Sequence, residues 1–169
     1  VSQVEDGVRL EPDHLYVIPP GKDLALLHGA LQLMSPPQQR GPHLTIDHFF
    51  RTLAQDQGER AICVILSGTG SDGTLGLQAV KEAGGMAMVQ DPKDAKHDGM
   101  PRSAIATGQA DFVLPAAEMP QQLLTYINQR RITHQQILQP EGTTNALQKV
   151  LIVLRDQVGH DFSFYKRST

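Results

Sequence analysis

The stretch Ser67-Gly-Thr-Gly-Ser-Asp-Gly73 concentrates the residue types that could do chemistry. It holds three glycines, three hydroxyls (Ser67, Thr69, Ser71) and one acid, Asp72. Two chemistries fit this pattern. The spacing G-x-G-x-x-G through Gly68, Gly70 and Gly73 fits a dinucleotide cradle, where backbone N–H groups and a helix start hold a pyrophosphate. Asp91 follows Gly73 by 18 residues, close to where a ribose-binding acid belongs. Alternatively, the loop exists to hold out Asp72. A carboxylate fixed at the carboxyl edge of a buried strand suits the third member of a Ser-His-Asp triad, which orients an imidazole and stabilises the imidazolium. Asp72 also lies where the pyrophosphate would dock, so two anions would compete for one helix N-terminus. No Gly-Lys-Ser/Thr follows, which excludes a Walker A loop. On the residues alone, the commonest role for such an Asp is a helix N-cap.

Other reactive side chains read more plainly. His43, Asp47 and His48 are metal-ligand types, but their spacing does not put all three on one helical face. They are expected at the surface start of a helix, and no metal site is assigned. His97, beside Asp98, is either a substitute base or a solvated loop histidine. Ser67, Thr69 and Ser71 lack the G-x-S-x-G setting of a nucleophile and are expected to hydrogen-bond within the loop. Lys93, Lys96 and Arg102 read as ordinary charged surface, and Met86, Met88 and Met100 as core or near-core.

The elements that must position these residues follow from periodicity. Asp13–Ile18 is expected as a short strand. Leu24–Leu27 and Ala30–Met34 are expected as a hairpin turning at His28-Gly29. Thr45 can cap a helix to Gln57 that presents Ile46, Phe49, Phe50 and Leu53 on one face. Ile62–Leu66 is an apolar run without alternation, the mark of a strand buried on both faces. A helix over 74–83, a strand over Met86–Gln90, a helix from Pro101 to Thr107, a strand Phe112–Leu114 and a helix from Ala116 to Arg130 complete the series. In the last helix Leu123, Leu124 and Ile127 are expected to point inward. Alternating strands and helices predict an α/β class, doubly wound around a mostly parallel sheet, with the hairpin preceding it.

Composition bounds what such a chain can be. The chain has 169 residues, 40% of them hydrophobic and 20% charged, ordinary for a globular protein. A net charge of -3 gives no electrostatic case for nucleic acid or an anionic membrane as partner. Cys63 is the sole cysteine, so no disulfide forms within the chain, and a reducing, cytoplasmic setting is expected. No stretch approaches the roughly 20 apolar residues that span a bilayer.

Several spaced motifs together carry a family resemblance. Ile65-Leu-Ser-Gly-Thr-Gly-Ser-Asp-Gly73, Gly76-Leu77, Ala83-Gly-Gly85, Val89-Gln-Asp91, Gly99-Met-Pro-Arg102, Ala104-Ile105 and Gly108 resemble the catalytic domain of the chemotaxis protein-glutamate methylesterases. Tyr16-Val-Ile-Pro-Pro-Gly21 and Asp47-His-Phe-Phe50 fit the same family, so the resemblance runs from about Val4 to Ile127. It implies hydrolysis of glutamate methyl esters, and deamidation of glutamines, on chemoreceptors, without a cofactor. It implies a Ser-His-Asp triad in that chain order, which maps the acid onto Asp72. Gly68, Thr69, Gly70 and Gly73 then form the active-site loop, and Met100 and Pro101 its rim. The family usually has Met where this loop has Thr69. Its serine and histidine motifs would precede the region resembling Val4 and are absent here, which implies an N-terminally truncated domain. A methylated chemoreceptor is the implied partner.

The tail carries a second resemblance. Residues 131–143, rich in Gln with Pro140 and Gly142, are expected to be a linker, and Thr144–Val158 an amphipathic helix. Leu147-Gln-Lys-Val-Leu-Ile-Val-Leu154, Gly159-His-Asp-Phe162 and Tyr165-Lys-Arg-Ser-Thr169 look like the opening of the receptor-glutamate methyltransferases, which use S-adenosylmethionine. The expected domains are thus an α/β esterase part over 1–130, the linker, and a methyltransferase start over 144–169. The chain then reads as a segment of a fused protein. The dinucleotide-binding domain and a noncatalytic signalling module remain as alternatives.

Overall fold

The computed structural model describes residues 1–36 and 44–138. The chain divides into two compact units, Val1–Met119 and Pro120–Thr169, and each is described by itself. The elements are β1 (Ser2–Gln3), β2 (Val8–Arg9), β3 (Tyr16–Val17), β4 (Asp23–Leu27), β5 (Ala30–Met34), α1 (Thr45–Gln57), β6 (Ile62–Ile65), α2 (Thr74–Glu82), β7 (Met86–Gln90), α3 (Gly99–Ala106), β8 (Phe112–Leu114) and α4 (Met119–Leu138).

The α/β class expected from the alternation is present. β6, β7 and β8 form a parallel sheet in that order, with α2 and α3 as the crossovers. Residues of β7 are buried at every position, as a central strand with two neighbours requires. β6 departs from the expectation of burial on both faces. Cys63 and Ile65 are buried, but Val64 is 37% exposed, so the opposite face of β6 is only partly covered.

The hairpin forms as its sequence dictates. β4 and β5 pair antiparallel, and both turn residues are left-handed, His28 at φ 50° and Gly29 at φ 74°. That is the primed turn whose twist matches the strands. β2 adds to the other edge of β5. The strand expected over Asp13–Ile18 shrinks to Tyr16–Val17, which pairs parallel with β1. Asp13 is left-handed at φ 61°, so the chain bends there instead of extending.

Helix α1 matches its expected span, yet its apolar residues divide between two cores. Phe50 packs with the cluster of Cys63, Ile65, Leu77, Val80 and Val89. Phe49 packs with the hairpin cluster of Leu24, Leu26 and Leu31, and Leu53 touches both. Two hydrogen bonds dock the hairpin on this helix. Thr52 Oγ1 accepts from the Leu26 N–H at 3.0 Å, and the Asp56 carboxylate accepts from Gly29 N–H at 3.1 Å. At the amino end of the sheet, Lys81 meets Asp111 at 2.7 Å, and Asp111 also accepts the Ala87 N–H.

In the second unit, α4 begins three residues after the expected start and continues through 131–138, which were expected in a linker. Leu124 and Ile127 are exposed, not inward as expected; the ring of Tyr126 instead carries the Arg130 guanidinium. The tail with its expected helix Thr144–Val158 lies outside the described residues.

Candidate active site

The glycine loop leaves β6 at its carboxyl end and enters α2. Asp72 does not cap α2, as the plainest reading expected. The N-cap of α2 is Gly73, left-handed at φ 89° and without a side-chain hydrogen bond. The Asp72 carboxylate turns away to α1, where Oδ2 accepts the Ile46 N–H at 3.1 Å and Oδ1 the Asp47 N–H at 2.9 Å. Helix α1 lacks a cap of its own, since its N-cap residue is Leu44. Thr45, expected to cap it, is instead its first helical residue. The N–H groups of the first turn need acceptors from elsewhere, and Asp72 provides them.

The debt is returned across the same junction. Asp47, expected at the surface, is 2% exposed, and its Oδ1 accepts the Gly76 N–H of α2 at 2.7 Å. Gly76 makes the approach possible. A Cβ there would lie 2.6 Å from Phe50 Cβ and 3.0 Å from Asp47 Cα. The start of α2 is therefore capped from α1, and the start of α1 from the loop that leads into α2.

A second set of bonds holds the loop from the opposite side. Ser67 N–H donates to Gln90 Oε1 at 2.8 Å, while the Gln90 amide donates to Asp94 Oδ2 at 2.7 Å. Asp94 also accepts the Ala116 N–H at 2.9 Å, and these two donors hold its carboxyl below the usual carboxylate range. The segment before α3 lies over the loop. Gly68 N–H donates to the His97 carbonyl, Met100 N–H to the Gly68 carbonyl, and His97 N–H to Ser67 Oγ, each at 2.9 Å. Gly99 has no room for a side chain, because a Cβ would lie 2.9 Å from Gly70 N.

This arrangement weighs against the phosphate cradle. The Gly68 N–H is engaged by His97, and the first turn of α2 already has the Asp47 carboxylate. Asp91 turns its carboxylate to the Lys93 N–H of its own loop. What remains is a half-buried carboxylate, Asp72, held at two oxygens at the carboxyl edge of a parallel sheet, where α/β folds place their chemistry.

Of the expected site residues, Met100 lies beside the loop, in contact range of Gly68. Thr69 and Gly70 are exposed at the loop surface, and Gly73 is buried below it. Pro101, expected at the rim, is fully buried and packs inside. The His97 side chain is exposed; its backbone, not its imidazole, serves the loop. Among the described residues no group of three or more His, Cys, Asp or Glu side chains is placed to hold a metal ion. Sequence reasoning missed Asp47, Gln90 and Asp94 as loop-holding residues. Apart from the Gln90–Asp94 bond, four residues apart, the bonds that make them so reach 22 to 29 residues away, beyond any local pattern.

Comparison with known proteins bears on this site. The family model described as CheB methylesterase matches residues 1–123. The chain is 45% identical over 130 residues to an uncharacterized 104.1 kDa protein of Rhodobacter capsulatus, covering 77% of this chain and 14% of that protein. It is 39% identical over 137 residues to a protein-glutamate methylesterase/protein-glutamine glutaminase of Bordetella parapertussis, covering 77% of this chain and 39% of that protein. The chain thus spans well under half of either relative. The solved CheB methylesterase catalytic domain of Thermotoga maritima superposes with a TM-score of 0.68 at 32% identity, covering 75% of this chain and 69% of that one.

Proposed function

The chain belongs to the CheB methylesterase family, and from that premise we propose that Asp72 is the acid of a Ser-His-Asp site that hydrolyses glutamate methyl esters on chemoreceptor-type proteins. Deamidation of glutamine side chains is the companion reaction. The observation that carries this reading is the grip on Asp72, with two α1 N–H groups on its two oxygens. Each carboxylate oxygen retains a further lone pair. An imidazole Nδ1–H can therefore donate to Asp72 without displacing α1. So oriented, the imidazole takes the serine proton as the hydroxyl attacks the ester carbonyl. The tetrahedral intermediate then expels methanol, protonated by the imidazolium, and water releases the glutamate by the same steps. For a glutamine side chain the leaving group is ammonia.

We place the serine and histidine upstream of Val1, in keeping with the 39% share of the Bordetella relative that this chain matches. The partner is a methylated chemoreceptor, met in the cytoplasm. No described helix is long and apolar enough to cross a membrane. The protein continues past residue 144 into a methyltransferase that uses S-adenosylmethionine. The 104.1 kDa relative, matched over 14% of its length, carries a segment similar to this chain within a much longer polypeptide.

The test is methyl-ester hydrolysis from a methylated receptor substrate by the full-length protein, with Asp72→Asn beside it. The variant is expected to lose about 10⁴-fold in kcat, the scale on which a triad acid acts. A folded full-length protein with no hydrolysis, or a fully active variant, would reject the assignment.

A further inference from the structure

Asp47 is an uneconomical choice if its task is only to join two helices. One acceptor is enough for the Gly76 N–H, and a serine or asparagine would supply it. A carboxylate adds a charge inside a site that is 2% exposed, and its Oδ2 has no hydrogen-bond partner among the described residues. Leaving a charged oxygen buried without a partner costs stability. The N-termini of α1 and α2 both favour an acid at this point, and the geometry of its bonds adds a second role.

The exchange at this junction is closed. The Asp47 N–H donates to Asp72 Oδ1 at 2.9 Å, and Asp47 Oδ1 accepts the N–H of Gly76, four residues past Asp72, at 2.7 Å. One residue thus grips the acid with its backbone and the helix following the acid with its side chain. Between these grips the chain is short, and Gly73 leaves it little freedom. A Cβ at Gly73 would lie 3.0 Å from Ile46 Cγ2, so the loop already presses on α1. Any shift of α2 along α1 must move the Asp72 carboxylate.

We propose that Asp47 is a positioning residue for Asp72: it registers the start of α2 against the start of α1, and so fixes where the Asp72 oxygens stand. The inference rests on the reading of Asp72 as the triad acid. A misplacement on the order of 1 Å near the chemistry costs about 10²-fold in rate, which sets the scale of the effect.

The experiment is a double-mutant cycle in the full-length protein, read as kcat and KM for methyl-ester hydrolysis. Asp47→Ala is expected to lower kcat about 10- to 100-fold with KM within about 2-fold of wild type. Asp47→Asn, whose carboxamide oxygen can still accept from Gly76, is expected to restore most of that loss. In the Asp72→Asn background, Asp47→Ala is expected to cost nothing more, since a residue acting through Asp72 has nothing left to position. Should Asp47→Ala fail to fold, Asp47→Glu keeps the charge but moves the acceptor by one methylene, and runs the same cycle. Losses that multiply across the two positions, or unchanged kcat in both Asp47→Ala and Asp47→Glu, overturn the inference. Neither result touches the triad reading, which falls only if wild type is inactive or Asp72→Asn retains full activity.

Discussion

At the scale of single residues, neighbouring positions in the loop carry opposite demands. Gly73 is needed for what it lacks, standing at φ 89°, a conformation that strains a side chain, with Ile46 Cγ2 only 3.0 Å from where a Cβ would lie. Asp72 is needed for what it carries. Asp94, on the far side of the loop, shows how such an acid depends on pH. The Ala116 N–H and the Gln90 amide lower its pKa in the fold. A depressed carboxylate stabilises the fold above its unfolded pKa, near 3.8, and that contribution fades as pH falls through the lower folded value. Thermal midpoints of wild type and Asp94→Ala are therefore expected to differ by a constant amount above about pH 5 and to converge on acidification. A gap that widens with acid would contradict the assignment. Asp72 could be singled out from sequence because it is the one acid in a glycine loop. Asp47 could not, because an acid in the first turn of a helix reads as ordinary dipole compensation whether it faces water or a second helix.

At the scale of elements, the hairpin shows which interactions a sequence declares. The turn at His28-Gly29 is local chemistry and is legible. The docking of that hairpin on α1 is not, since Thr52 and Leu26 are 26 residues apart. Thr52 Oγ1 takes the Leu26 N–H and donates to the Phe49 carbonyl, so it ties a strand edge to the helix backbone. Thr52→Val keeps the shape and removes the acceptor. It is expected to destabilise the fold by about 1–3 kcal/mol. Faster hydrogen exchange at the Leu26 amide, with Val89 and Met88 in β7 little changed, would locate the loss at the hairpin. Equal acceleration in β7 would mean that the two parts open together. The parallel strands and their crossovers were legible because alternation repeats. The limits of α4 were not, because the Gln-rich run after Arg130 is as compatible with a helix as with a linker.

At the scale of the first unit, α1 joins two cores, packing Phe50 on one, Phe49 on the other and Leu53 on both. Cys63 lies inside the larger core, where burial, reinforced by the Asp111 charge, pushes its thiol up to about 12. A thiolate is the reactive form. Modification of Cys63 by a thiol reagent at pH 8 is therefore expected to be at least about 100-fold slower in the native chain than in urea, and to track opening of the core. Rapid labelling under native conditions would mean that the β6 side of the sheet opens on its own. The exchange of caps between α1 and α2 has a bearing on engineering as well. The glycine loop looks like a portable cassette, ten or so residues that could be moved onto another strand–helix unit. Its acid is anchored elsewhere, on the backbone of a helix that comes earlier in the chain. Grafted alone, the loop would carry the carboxylate without its anchor, and with the Gln90, His97 and Met100 contacts counted the smallest transplantable unit runs from Thr45 to Met100.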